Sequence, residues 1–326
     1  MKIAVLGAGA WGFCLARHLA SNNHTVLLWN RDSSVLDAIA SESGHPKMGP
    51  FESLSNLILE PDFRLATTGV DLIIEAVSSQ GIRPVLSELE STAPIVVTSK
   101  GIEQGSGLLL SEVAKQVVVG KNSVAVLSGP CIAKEMIQGY PASAVAAADD
   151  ESVMHTVQKA FHGDRFRVYP NRDVNGVSFG GAMKNPIAIA CGISDGLGFG
   201  QNTKAALMTR GLHEIRKLSQ VKKCNKETLS GLAGMGDLCV TCLSTDSRNY
   251  QFGQKLAKNE SAQQAKDEIG MVVEGAYTCS AALELSKKSG IPIPITEAVH
   301  AVIYEGKNPK DAVSLLLSRS VKEEML

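Results

Sequence analysis

Three places in this 326-residue chain carry residues whose types and spacing point to chemistry. The first is Gly7-Ala8-Gly9-Ala10-Trp11-Gly12, directly after the apolar run Ile3–Leu6 and ahead of an amphipathic stretch. In a G-x-G-x-x-G loop between strand and helix, Gly7 allows the tight turn and Gly9 admits a pyrophosphate to the backbone. Gly12 lets the helix pack closely on the strand, and the helix N-terminus offers free N–H groups and a partial positive charge. The motif in this context predicts a dinucleotide site. An NAD-reading site ends its second strand with Asp or Glu, which holds the ribose 2′-hydroxyl. Here that strand runs into Leu28-Trp29-Asn30-Arg31-Asp32. Arg31 is placed to pair a 2′-phosphate, so NADP is favoured over NAD. The competing reading is a solvated loop arginine paired with Asp32.

The second place is Lys184, the only charged residue from Val174 to Ser194. A lysine in so apolar a setting is expected to be buried, and burial lowers its pKa from about 10.4 toward neutrality. That suits a proton donor to a ketone. The alternative is a lysine snorkelling to solvent from a helix end. Asn185-Pro186 predicts a break or kink that aims the side chain into a cleft. The third place is Ser247-Arg248-Asn249, preceded by Ser244-Thr245-Asp246 and followed by an amphipathic stretch. This reads as a capped helix N-terminus beside an arginine, a setting that holds phosphate well. An ordinary capped surface helix is the other reading. Cys239-Val240-Thr241-Cys242 has C-x-x-C spacing but neither a second pair nor a nearby His, so its thiols read as structural and no metal is expected.

The elements that must position these groups follow from periodicity. Short β-branched runs at Ile3–Leu6, Val26–Trp29, Leu72–Val77, Ile95–Thr98 and Val124–Leu127 alternate with amphipathic segments at Trp11–Ala20, Ser33–Ala40, Ile82–Leu89 and Leu109–Gln116. Strand and helix in alternation predict an α/β, doubly wound parallel sheet of Rossmann type. His45–Pro61 reads as a long connection. Beyond Arg172 the pattern becomes helical, at Leu207–Leu218, Tyr250–Lys258, Gly275–Ser286 and Lys310–Leu317. The expected domains are 1–175 for the dinucleotide and 176–326, all helical, for substrate.

Composition narrows the function further. Hydrophobic residues make up 44% and charged residues 20%, as in globular chains. With 32 Lys and Arg against 33 Asp and Glu, the net charge of −1 argues against a broadly basic nucleic-acid surface. Apolar stretches break well before the ~20 residues of a membrane span. Seven Cys without scaffold spacing point to a reducing cytoplasm.

With these residues in view, the chain resembles the bacterial-type NAD(P)-dependent glycerol-3-phosphate dehydrogenases over nearly its whole length. The resemblance rests, in order, on Gly7-Ala8-Gly9-Ala10-Trp11-Gly12, Ser99-Lys100-Gly101-Ile102-Glu103, Leu127-Ser128-Gly129-Pro130, Gly181-Ala182-Met183-Lys184-Asn185, Gly234-Met235-Gly236-Asp237-Leu238 and Ser247-Arg248-Asn249. It implies a C-terminal domain like that of 6-phosphogluconate dehydrogenase. It implies Trp11, Arg31, Lys100, Ala133, Arg248, Val272 and Glu274 at the cofactor. It implies Lys100, Gly129, Cys131, Lys184, Asp237, Ser247, Arg248 and Asn249 at the phosphorylated substrate, with Lys184 as proton acceptor for the alcohol and Asp237 orienting it. Two positions depart from the family pattern: Cys131 stands where Ser or Thr is common, and Ala10 where Ser is common. The implied reaction is sn-glycerol 3-phosphate + NAD(P)+ ⇌ dihydroxyacetone phosphate + NAD(P)H + H+, supplying phospholipid synthesis. A cytoplasmic homodimer is implied as well.

Two rival readings make different demands on the sequence. A 3-hydroxyacid dehydrogenase of similar layout would show Asn four residues after its lysine, whereas position 188 is Ala. A non-catalytic NAD(P)-sensing regulator would have lost the lysine or the aspartate, and both are present.

Overall fold

The apolar runs near the N-terminus form the centre of an eight-stranded sheet. In the computed structural model, which describes residues 1–41, 44–118, 122–258, 260–318 and 320, the chain divides into two compact units. One comprises Met1–Ser99 with Leu110–Val174, and the other Lys100–Leu109 with Asn175–Leu326.

The strands of the first unit are β1 Lys2–Leu6, β2 Thr25–Trp29, β3 Leu57–Leu59, β4 Leu72–Glu75, β5 Ile95–Val97, β6 Val124–Ser128, β7 Ala142–Ala148 and β8 Phe166–Asn171. Their order is β3-β2-β1-β4-β5-β6-β7-β8, and neighbours are parallel except for β6 with β7. Helices alternate with the strands from β1 to β6, giving the doubly wound sheet. The order reverses at β1, between β2 and β4, and the glycine loop leaves from the carboxyl end of β1, where ligands bind in open sheets of this kind. The five expected strands are present. β3 lies inside the stretch read as a connection, a correction to that reading. β7 is nearly all alanine, a poor strand former. It holds as a strand because Ala144, Ala146, Ala147 and Ala148 are buried between neighbours. β8 buries Phe166 and Val168 while Arg167 and Tyr169 face out, with Pro170 tolerated on this sheet edge.

The second unit is helical. Its axis is the helix Val174–Gly196, which continues through Pro186. The break expected at Asn185-Pro186 is therefore absent. Proline removes one N–H from the helix, but Met183, Ile187, Ala188, Ile189 and Cys191 are all fully buried around it, and that packing keeps the helix continuous. Helix Arg248–Ala257 crosses this axis at backbone contact. A Cβ on Gly192 would lie 2.0 Å from the Tyr250 carbonyl oxygen, and one on Gly253 would lie 2.1 Å from that of Ile189. The crossing fixes where the first residues of Arg248–Ala257 stand. Gly253→Ala should therefore destabilise the protein by ~1–3 kcal/mol of overpacking. The helical unit, about 160 residues, then loses roughly 2–12 °C in melting temperature, measurable by calorimetry; an unchanged melt would contradict the crossing.

Candidate active site

The glycine loop is built in the first unit. Gly7 has φ +110° and donates its N–H to Trp29 O at 2.8 Å; a Cβ there would lie 2.6 Å from Ala76 O. At Gly12 a Cβ would lie 1.9 Å from Gly7 O, so the helix Ala10–Ser21 starts hard against the turn. Gly9, the N-cap of that helix, is the contrast. A Cβ there meets nothing within 4 Å, and the first turn holds no acidic residue. The Trp11 indole N–H is buried without a hydrogen-bond partner. An open cradle of N–H groups at a helix N-terminus fits a pyrophosphate.

Ala10 is the first residue of this helix. Arg31 is exposed and pairs with Glu88 at 2.8 Å, with its guanidinium carbon 5.8 Å from the Trp29 ring centroid. Its partner is thus Glu88 rather than Asp32. So exposed a pair is worth little, and a phosphate can replace the carboxylate. Gly129 packs with its Cα against β7, where a Cβ would lie 2.8 Å from Ser143 O. The Cys131 thiol donates to Ser143 O at 3.5 Å, and Ala133 opens the short helix Ala133–Ile137. Glu75, fully buried at the end of β4, accepts from the Val77 N–H at 2.9 Å and the Ser99 hydroxyl at 2.7 Å, and so fixes the chain just before Lys100.

The second unit assembles the titratable cluster. Gly180, one helical turn before Lys184, lets the turn Leu232–Gly236 approach the axial helix; a Cβ on Gly180 would lie 2.6 Å from Ala233 O. Within that turn a Cβ on Gly234 would lie 2.0 Å from Leu229 O. The two glycines bring Asp237, first residue of helix Asp237–Leu243, against Lys184. Asp237 is fully buried. One oxygen takes the Lys184 ammonium, and the other takes Lys100 Nζ at 2.5 Å. Lys100 arrives on a short excursion whose Ile102 and Leu109 pair in an antiparallel bridge and are both fully buried in the helical core. Lys184, 7% exposed, also donates to the Thr241 hydroxyl at 2.7 Å, and that hydroxyl donates to Asp237 O at 2.6 Å.

Burial pushes the Lys184 ammonium down to about 8. Asp237 opposes that shift and the Lys100 charge adds to it. The cluster can therefore give and take a proton near neutrality, and it carries a net positive charge while Lys184 is protonated. Thr241 was not among the residues expected from the sequence. Its signal was the four-residue spacing from Asp237, which places both on one helix face, within the C-x-x-C pair. Cys239 and Cys242 flanking it are free thiols. Among the described residues no group of His, Cys, Asp and Glu is arranged to hold a metal ion.

Ser247 caps helix Arg248–Ala257, accepting the Tyr250 N–H at 3.3 Å. Arg248 is its exposed first residue and donates to Val272 O at 3.0 Å. Glu274 opens the next helix, Glu274–Ser289, and its charge acts on Arg248. Asn249 is buried. Its amide donates to Asn185 Oδ1 at 3.0 Å and accepts the Gly275 N–H at 2.9 Å, which ties three helices together. The structure thus groups Lys100, Lys184, Asp237 and Thr241 in one cluster, and Ser247, Arg248, Val272 and Glu274 at a pair of helix starts.

Comparison with known proteins places these features in a family. Residues 2–154 match the NAD-dependent glycerol-3-phosphate dehydrogenase N-terminus, and residues 173–314 match its C-terminus. The glycerol-3-phosphate dehydrogenase [NAD(P)+] of Protochlamydia amoebophila is 49% identical, covering 100% of this chain and 99% of the relative. That of Chlamydia abortus is 47% identical with the same coverage. The crystal structure of glycerol-3-phosphate dehydrogenase from Coxiella burnetii superposes with a TM-score of 0.91 at 36% identity, covering 98% of this chain and 99% of that one.

The electrostatics of the cluster are open to a direct check. The titration midpoint of Lys184, followed by NMR of its ε-methylene carbon, should lie near pH 8. It should rise in Lys100→Met, which removes a like charge, and fall in Asp237→Asn, which removes the opposite one. Movement in the reverse directions would refute this account.

Proposed function

Because the chain belongs to the NAD-dependent glycerol-3-phosphate dehydrogenase family, we propose that it interconverts sn-glycerol 3-phosphate and dihydroxyacetone phosphate, with NAD(P) as hydride carrier. The observation that carries the reading is an ammonium held inside an apolar core by a buried carboxylate and a hydroxyl, in a chain that also has an open dinucleotide loop. When bound, the nicotinamide delivers or accepts a hydride at C4. In reduction, protonated Lys184 binds the C2 carbonyl oxygen and gives up its proton as the alkoxide forms. In oxidation, the neutral amine takes the hydroxyl proton. Asp237 and Thr241 hold the amine in place, and Lys100 adds positive charge beside the developing oxyanion.

Arg248, at the N-terminus of its helix, takes the substrate phosphate together with Ser247 and the second N–H of the Asn249 amide. Gly129 and Cys131 are assigned to the same substrate. Gly7, Gly9, Ala10, Trp11 and Gly12 hold the pyrophosphate, and Arg31 the 2′-phosphate, so NADPH is the preferred partner. Ala133, Val272 and Glu274, with Lys100 and Arg248, complete the cofactor assignment that the family implies. Residues 1–175 serve the dinucleotide and 176–326 the substrate, with Lys100 acting among the latter. The product supplies the backbone of glycerophospholipids. Among the described residues no helix is long and apolar enough to cross a membrane. We take the protein to act as a cytoplasmic homodimer, and its seven free thiols suit a reducing compartment.

The test is an assay with dihydroxyacetone phosphate and each reduced cofactor. Lys184→Met should fold, bind NADPH and lose ~10²–10⁴ in kcat, the usual worth of acid–base assistance; near-normal turnover in a folded, cofactor-binding variant would assign the proton elsewhere. In the native enzyme, reduction needs the protonated lysine, so its kcat/KM should decline as pH rises through about 8. Oxidation should gain over the same range. Arg31→Ala should raise the KM for NADPH by about tenfold relative to NADH, as for a lost charge-assisted contact. Equal effects on the two cofactors would remove Arg31 from the 2′-phosphate.

A further inference from the structure

His45 is a buried histidine that the proposed reaction does not use. It stands between helix Ser34–Ala40 and β3, only 2% exposed, with its ring stacked on Phe13 at 4.8 Å between centroids and 27° between planes. Its Nδ1 accepts the Lys47 N–H at 3.1 Å, and its Nε2 lies 2.9 Å from Ala8 O. A ring nitrogen that accepts an N–H carries no proton, so the proton of the neutral ring is on Nε2 and is donated to the Ala8 carbonyl. Burial, which lowers the affinity of the ring for a second proton, keeps it in that form.

Ala8 sits between the first two glycines of the dinucleotide loop. Its own N–H is taken by Asn30 Oδ1 at 2.9 Å. The peptide group that carries the Ala8 carbonyl also carries the Gly9 N–H, and in a planar trans peptide these point in opposite directions. Holding the carbonyl toward His45 therefore fixes where the Gly9 N–H points. Gly9 has no side chain to restrict a turn of that peptide, and the hold on the Ala8 carbonyl opposes one. We propose that His45 is a positioning residue for the dinucleotide: by fixing the plane of the Ala8–Gly9 peptide it aims the Gly9 N–H at the pyrophosphate before the cofactor arrives. The proposal rests on the reading of this loop as the NAD(P) site. It deepens that reading by adding a residue outside the glycine motif that sets cofactor affinity through preorganisation.

The experiment compares His45→Leu, which fills the space without a donor, with His45→Gln, whose amide N–H can reach the Ala8 carbonyl. Dissociation constants for NADH and NADPH are measured by fluorescence titration, together with kcat and the KM for dihydroxyacetone phosphate at saturating cofactor, and the melting temperature. His45→Leu should weaken both cofactors by a similar factor, roughly 3- to 12-fold for one lost orienting hydrogen bond. The pyrophosphate is common to both, so neither should be singled out. Turnover and substrate KM at saturating cofactor should stay within about twofold, and His45→Gln should recover most of the affinity. Unchanged affinity in His45→Leu, an effect on one cofactor only, or failure of His45→Gln to recover affinity overturns the proposal. If His45→Leu does not fold, His45→Asn, polar but too short to reach Ala8, takes its place with the same expected and overturning results. A native protein that binds neither cofactor would overturn the dinucleotide reading itself, a result visible before any variant is made.

Discussion

One buried carboxylate shared by two ammonium groups is the constraint on which the helical unit depends. Taking ions out of water is costly, and removing one member of such a cluster leaves the others uncompensated. Asp237 therefore has to be delivered to Lys184 with little slack, and several otherwise odd features follow. Gly180 and Gly234 have no room for a Cβ because the turn before Asp237 presses on backbone from two sides. Thr241 supplies an oxygen to Lys184 and returns its own proton to the Asp237 carbonyl, so its hydroxyl is used in both directions. The cluster keeps excess positive charge in a dry place, which is where a developing oxyanion gains most from it.

The dinucleotide loop solves a different problem with the same economy. A glycine-rich turn admits a ligand to its backbone but carries much conformational freedom. The structure removes that freedom with groups outside the turn: Trp29 O on Gly7, Asn30 on Ala8, and packing of Ala76 on both Gly7 and Gly12. The donors left at the start of helix Ala10–Ser21 then face their ligand already oriented. In both units a tight glycine, Gly12 in one and Gly234 in the other, marks where backbone meets backbone, and polar side chains supply the direction.

Much of this was legible in the sequence, for identifiable reasons. The central strands are continuous and apolar because both faces are covered, and that shows in one dimension. Lys184 announced its burial by the absence of other charges over the surrounding stretch, and Ser247 announced a helix start by residue type. What stayed hidden depended on partners distant in the chain. β7 is held by burial that alanine does not advertise. Pro186 reads as a break unless the packing around it is known. Arg31 has Asp32 as its neighbour in sequence but Glu88 in space. His45 became visible only with the atoms it touches, since a histidine in an irregular stretch carries no pattern of its own, and the four-residue spacing of Thr241 from Asp237 gains its meaning only once that aspartate is seen to be buried.

The path of the chain through Lys100–Leu109 has a consequence for modularity. This ten-residue excursion belongs to the helical unit, while the residues on both sides of it belong to the sheet. Ile102 and Leu109 are part of the helical core, and Lys100 is a third of its buried charge cluster. The helical unit thus has no contiguous stretch of gene that encodes it. During synthesis from the N-terminus, these ten residues emerge long before the helices that will receive them. A fragment cut at the sheet's last residue would be missing both a piece of its hydrophobic core and one of its charges. Neither half can be lent to another chain, or tuned by simple domain exchange, without carrying part of the other along.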